Sequence, residues 1–185
     1  MNRRRFLNTS GATLSAATFG LIAGLPRFAA AQSESMGRDV DILNVALGLE
    51  HEAINAYQLG AQSGLLQKPV LDMAVLFQSH HKGHRDALIS TIEKLGGRPV
   101  AEKAMADYAR ALNAGMLKSQ ADILILAARL ELGASNAYLG VIPAFRDANL
   151  AKVAGRLAAD ETMHWTALSG ALGRQLPGAP LTFGA

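Results

Sequence analysis

Three glutamates and three histidines stand at matched spacing in the two halves of this 185-residue chain. Leu49-Glu50-His51-Glu52-Ala53-Ile54-Asn55-Ala56-Tyr57 reappears as Leu130-Glu131-Leu132-Gly133-Ala134-Ser135-Asn136-Ala137-Tyr138, a displacement of 81 positions that puts Glu50 on Glu131 and Tyr57 on Tyr138. Thirty-one residues after Glu50 and thirty after Glu131 comes a pair three positions apart, first His81 and His84, then Glu161 and His164. Carboxylate oxygens and imidazole nitrogens are the donors that hold divalent iron or manganese. On a helix, positions i and i+3 lie on one side, one turn apart, so each pair projects together. A duplicated Glu, Tyr and His framework is far harder to reach by accident than two isolated glutamates.

The elements that must position these residues are helices. Half the sequence is apolar, alanine and leucine dominate, and β-branched runs are short. Helical periodicity runs from about Asp39 to Gly64, from Pro69 to Leu95, from Ser119 to Asp147 with Pro143 kinking the helix or ending it near Ile142, and from Leu150 to Leu172. Ser63-Gly64, Gly96-Gly97 and Pro99 supply the stops. The expected inward stripes are Ile42, Val45, Ala46, Leu49, Ala53, Ala56 and Tyr57 on the first helix, and Ala74, Phe77, Leu88, Ile92 and Leu95 on the second. The third turns Leu124, Ala127, Ala134, Ala137 and Val141 inward, and the fourth Val153, Leu157, Leu168 and Leu172. Short links make two antiparallel hairpins, while the span from Gly96 to Ser119, with a short helix near 101–112, is a long crossover between them. Residues 174–185 read as an irregular tail.

All six candidate ligands, Glu50, His81, His84, Glu131, Glu161 and His164, fall on those inward stripes. Burying unpartnered carboxylates costs several kcal/mol, and a cation among them is the simplest compensation. Carboxylate-bridged di-iron and di-manganese bundles take Glu from two helices and Glu-x-x-His from the other two. This chain supplies that set except at His81.

With these residues the chain after its leader resembles the ferritin-like superfamily over nearly its whole length, and particularly its exported bacterial branch, which includes desiccation-related proteins. The resemblance implies an all-α, ferritin-like four-helix bundle with iron or manganese, one or two ions per chain. It makes Glu50 and Glu131 terminal ligands, Glu161 a bridging carboxylate, and His84 and His164 ligands of one metal each. Tyr57 and Tyr138 match the family's Glu-x6-Tyr pattern, and read either as core tyrosines with satisfied hydroxyls or as redox relays beside the metal. The departure is His81, where the family carries a bridging glutamate. An imidazole does not bridge two ions as a carboxylate does, and the ligand charge falls from −4 to −3. The expected site is therefore asymmetric, with Glu50, His81 and His84 forming a two-His, one-carboxylate half and Glu131, Glu161 and His164 the other. Two functions follow: metal-dependent oxidoreduction or metal handling with small oxidants, or a metal-free scaffold in stress protection or partner binding. Iron storage in a shell is weaker, since nothing identifies assembly contacts, although a homo-oligomer remains open. Among nearby residues, His51 reads as rim or solvent-facing, Glu52 as solvated, and His80, which aligns with Asp160, either as a partner orienting a ligand ring or as a surface group.

The first 31 residues read as a leader, separate from the domain at 32–185. Arg3-Arg4-Arg5 heads an uncharged run from Phe6 to Pro26, and Ala29-Ala30-Ala31 offers small residues for cleavage. Arg3-Arg4 followed by Phe6-Leu7 resembles the twin-arginine signal, which implies export in folded form to the periplasm. The alternative is an uncleaved anchor, but Gly, Ser, Thr and Asn dilute the run. Four of the 18 basic residues and none of the 15 acidic ones lie in the leader, so the remainder carries 14 against 15. That near-neutral balance gives no case for nucleic acid, and no membrane insertion is expected after cleavage. With no cysteine, disulfides and thiolate metal sites are excluded. The expected mature N-terminus is Gln32, or close to it. Replacing Arg3 and Arg4 together by lysine should abolish export, as judged by N-terminal sequencing of periplasmic protein; a full-length, membrane-retained product would contradict this.

Overall fold

The computed structural model describes residues 30–184, with side chains from Gly37 onward; the expected leader's basic head and apolar run lie outside the described residues. Five α-helices follow in order: α1 (Ala30–Gln62), α2 (Lys68–Lys94), the short α3 (Met105–Ala111), α4 (Gln120–Val141) and α5 (Ala148–Ala171). No strand occurs among the described residues. Helix α1 packs along α2 and α4 along α5, and contacts of α1 with α4 and of α2 with α5 close a four-helix bundle. The fold is thus all-α and ferritin-like, two hairpins joined by a crossover that carries α3. Among the described residues no helix is long and apolar enough to cross a membrane.

The helix ends follow from local chemistry. Helix α2 begins with Pro69 in its first turn, where a missing N–H is harmless. Helix α4 is capped by Ser119, whose hydroxyl accepts from the Asp122 amide, and α5 by Asp147, which accepts from Asn149. Pro143 ends α4 instead of kinking it, falling in a 3-10 turn at Ile142–Ala144. The hairpins terminate alike: Gly96 and Gly173 take left-handed φ of 76° and 68°. The next amide then reaches back, Gly97 to the Ile92 carbonyl and Arg174 to that of Ser169, both at 2.9 Å.

Two apolar clusters fill the bundle, one on each side of a polar layer. Leu43, Leu47, Leu88, Ile92, Leu150 and Leu157 form the first. Tyr57, Ala74, Phe77, Leu124, Ala128 and Leu168 form the second. The inward stripes need correction on two helices. Val45 and Val153 are exposed, and Leu43, Leu47 and Ile54 on α1 and Ala154 on α5 take the core positions. On α1 the buried arc is wide because α2, α4 and α3 all pack against it, so a single stripe mis-phases it.

The crossover also explains His51, which is not at the rim but only 4% exposed. After Gly97 the chain runs over the outer face of α1, and three α1 side chains hold it there. Asn44 gives its amide to the Arg98 carbonyl at 3.1 Å and accepts from the Val100 amide at 2.7 Å. His51 Nε2 lies 3.2 Å from the Val100 carbonyl, and Asn55 donates to Glu102 at 2.6 Å. Glu52 is likewise half-buried, and burial raises its pKa against the nearby charges of Arg129 and Lys103. The second half repeats the device in reduced form. Asn136, the counterpart of Asn55, accepts from the Gly184 amide at 2.8 Å, and Phe183 packs edge-on against Trp165. Asn44→Ala removes both bonds that mimic a backbone ladder. It should lower stability by about 1–2 kcal/mol, read from the urea midpoint, and speed amide exchange at Val100. Unchanged exchange there would show that the strap is held by other contacts.

Candidate metal centre

The polar layer consists of the six predicted residues: Glu50 from α1, His81 and His84 from α2, Glu131 from α4, and Glu161 and His164 from α5. None is more than 9% exposed. They form two overlapping groups, Glu50–His81–His84–Glu161 and His81–Glu131–Glu161–His164, with the donor atoms in each all within 4.8 Å of one another. Glu161 belongs to both groups. So does His81, which corrects its assignment to one half. The ring's two nitrogens face opposite ways, Nδ1 lying 2.8 Å from Glu50 Oε2 and Nε2 3.2 Å from Glu131 Oε1.

The remaining donors approach without bonding. His84 Nδ1 lies 3.2 Å from Glu161 Oε1 and 3.6 Å from Glu50 Oε2; His164 Nδ1 lies 3.4 Å from both Glu131 Oε2 and Glu161 Oε2. Yet both Nδ1 atoms, Glu131 Oε2 and both Glu161 oxygens are buried with no hydrogen-bond partner. Buried polar atoms rarely go unsatisfied, and each such atom costs about 1–3 kcal/mol. Two donors each about 2.1 Å from one cation stand about 3.0–3.4 Å apart at angles between octahedral and tetrahedral. The five orphaned atoms thus have the chemistry and separations of ligands to a divalent metal ion. The buried His/Glu clusters are capable of coordinating one.

Everything else on these side chains is already engaged. Tyr57 of the first hairpin donates its hydroxyl to Glu131 of the second, and Tyr138 of the second donates to Glu50 of the first. Burial, together with the charge of Glu131 at Tyr57 and of Glu50 at Tyr138, raises both phenols well above their usual range, so they remain donors. The ligand rings are held from behind in the same crossed manner. His84 Nε2 meets Asp160 at 3.2 Å, and His164 Nε2 meets His80 Nδ1 at 2.9 Å. His80 and Asp160 therefore orient rings, each from the opposite hairpin, and leave the two Nδ1 atoms facing the centre. Phe77 stacks on His164 with ring centroids 4.1 Å apart, and Tyr57 stacks on His81 at 5.5 Å. The repeat contained the tyrosines and the aligned His80 and Asp160, but not the crossing between halves.

Three carboxylates and three imidazoles also balance each other. Burial opposes charge on His81, but hydrogen bonds to Glu131 and Glu50 and the charge of Glu161 outweigh it, raising the pKa to about 11. His84 rises to about 10 through Glu161 and Glu50, again against burial, and His164 rises through Glu131 and Glu161. Burial pushes the carboxylates up, but the histidines bring Glu50 and Glu131 below their usual range, whereas Glu161 stays above it.

A four-helix bundle with a buried layer of glutamate and histidine defines a class, and the sequence agrees with it. The chain belongs to the ferritin-like domain family, whose pattern matches residues 38–174. A conserved hypothetical protein of Mycobacterium tuberculosis with a solved crystal structure is similar in fold. It is 22% identical, with a TM-score of 0.64, over 78% of this chain and 97% of that one. No curated protein matches the chain.

The pKa shifts set how the metal-free protein responds to pH. A histidine whose folded pKa exceeds its unfolded value contributes stability in full below the unfolded value, about 6.5, and loses it as pH rises through the folded one. For His81 and His84 that loss spans roughly pH 6.5 to the values of about 11 and about 10. Glu50 and Glu131 act the other way, contributing above their usual range and losing stability only in acid. The urea midpoint in the presence of a chelator should fall steadily between pH 7 and pH 10. A flat profile there would show that the imidazoles are not charged in the core.

Proposed function

We propose that the bundle core holds iron or manganese at the two overlapping groups and that the protein is a metal-dependent oxidoreductase, or a metal-handling protein, acting with small oxidants. The observation that carries this reading is the set of five buried donor atoms without hydrogen-bond partners, converging within the polar layer. Glu50 and His84 would hold one ion, Glu131 and His164 the other, with Glu161 shared and His81 between them. Iron or manganese would supply one-electron redox chemistry toward dioxygen or peroxide. The chain's own contribution is geometric and electrostatic. Tyr57 holds Glu131 through Oε1 and leaves its Oε2 for the centre, while Tyr138 holds Glu50 through Oε1 and its Oε2 meets His81. Asp160 and His80 fix the ring orientation of His84 and His164. The apolar clusters on either side keep the layer out of contact with water, which strengthens every charge interaction within it. Both tyrosines have their hydroxyl protons on ligand carboxylates, so each is placed for proton or electron exchange with the centre. The proposal includes export in folded form to the periplasm by the twin-arginine route and membership of the exported branch.

A second reading has its own observation. The glutamates raise the pKa of all three imidazoles, so protons on the rings can balance the carboxylates in place of a metal, and the same core would then be a scaffold for stress protection or partner binding. Metal content separates the two. Protein purified without chelators, or reconstituted anaerobically with ferrous iron, should carry between one and two ions per chain by elemental analysis, one held tightly and one weakly. Glu131→Ala should remove most of the metal. His81→Glu restores ligand charge to −4 and should raise the content to two ions with stronger magnetic coupling. Wild-type protein that remains metal-free after reconstitution would establish the neutral scaffold instead.

A further inference from the structure

Beyond the ligand layer, on the side of Tyr57, the bundle contains a cavity of about 30 Å³. Small side chains create it: Ala53, Ala56 and Gly60 on α1, Ala74 on α2 and Ala127 on α4 all face the same space. Gly60 also allows the close approach of α4, since a Cβ there would lie 3.0 Å from Ile123. The floor consists of buried Leu124 and Leu168 with the Tyr57 ring, and the rim at Leu66, Val70 and Leu117 is only half-buried.

The lining decides what can occupy it. A buried water needs two to four polar partners, and the only side-chain hydroxyl here is that of Tyr57, which donates to Glu131. Water and hydrogen peroxide would therefore be poorly held, whereas an apolar guest gives up no hydrogen bond on entry. The cavity also lies next to the centre. Tyr57 is at once its wall, the hydrogen-bond donor to Glu131 and the ring stacked on His81, and Ala127 and Leu168 lie one helical turn from Glu131 and His164.

We propose that this cavity is a binding site for a small, uncharged, apolar molecule of about dioxygen's size, with Tyr57 as the wall between it and the ligand layer. The site itself needs no metal. Its consequence, that dioxygen and not peroxide is the oxidant admitted from this side, rests on the metal centre proposed above.

Xenon tests the site directly, on metal-free protein. Crystals pressurised with xenon should show one atom against Leu124, Ala127 and Leu168, and in solution xenon should shift the Leu124 and Leu168 methyl resonances. Ala127→Phe fills the space and should abolish both signals; Ala56→Leu fills it from α1 should the first variant not fold. No xenon at that position in wild type, ordered water in its place, or xenon retained in a filled variant would each overturn the proposal. In iron-loaded protein, Ala127→Phe should slow oxidation by dioxygen at least several-fold and leave oxidation by peroxide unchanged. Equal slowing with both oxidants would overturn the selectivity while leaving the xenon result standing. A protein that takes xenon but no metal would defeat the proposed function alone.

Discussion

Three carboxylates and three imidazoles buried in one layer are the constraint around which this bundle is organised. Taking one ionised group out of water without a partner costs several kcal/mol, comparable to the whole net stability of a small domain. The layer must therefore be neutralised, whether by protons on the rings or by a cation among the donors. The apolar clusters above and below it could be rebuilt from many aliphatic combinations. The layer could not, because its tyrosine, histidine and carboxylate contacts each depend on a particular neighbour.

The solution found here is crossed. Each tyrosine supports a glutamate of the other hairpin, and the groups behind His84 and His164 also come from across the bundle. Neither hairpin can complete its polar groups alone, so docking of the hairpins and satisfaction of the layer are one event. The strap over α1 serves the same end from outside. By burying His51 and engaging Asn44 and Asn55, it fixes where the crossover leaves the first hairpin and hence where α4 begins.

Much of this was legible because it depends on short-range rules. Proline and glycine punctuate the helices at Pro69, Gly96, Pro143 and Gly173, and ligands three apart must share a face. That all six residues turn inward followed from phase, and the duplicated spacing matched the ligands of one half to those of the other. What escaped depends on contacts that periodicity does not encode. Val45 and Val153 fall on the inward stripes by periodicity, but the tertiary neighbours set the buried arc elsewhere. His51 looked solvated because nothing local reveals that an extended segment from fifty residues away will cover it. Asn55 and Asn136 were visible in the repeat, yet their shared task of holding a returning chain appears only once the crossover and the tail lie beside α1 and α4. His81 stands out in the repeat as the exception, but its place between the two halves depends on the direction of a ring, which spacing does not give.

Each hairpin supplies three members of one group and lends a single side chain, at position 81 or 161, to the other. Two identical hairpins associating about a twofold axis would present the same residue at both of those central positions, either two carboxylates or two imidazoles facing each other across the axis. Covalent joining of the halves lifts that requirement. It allows one carboxylate and one imidazole to meet at the centre, so the two pockets become chemically unequal while the surrounding scaffold stays nearly symmetric. The long crossover is thus more than a connector. It is the link that frees the halves of this centre to diverge.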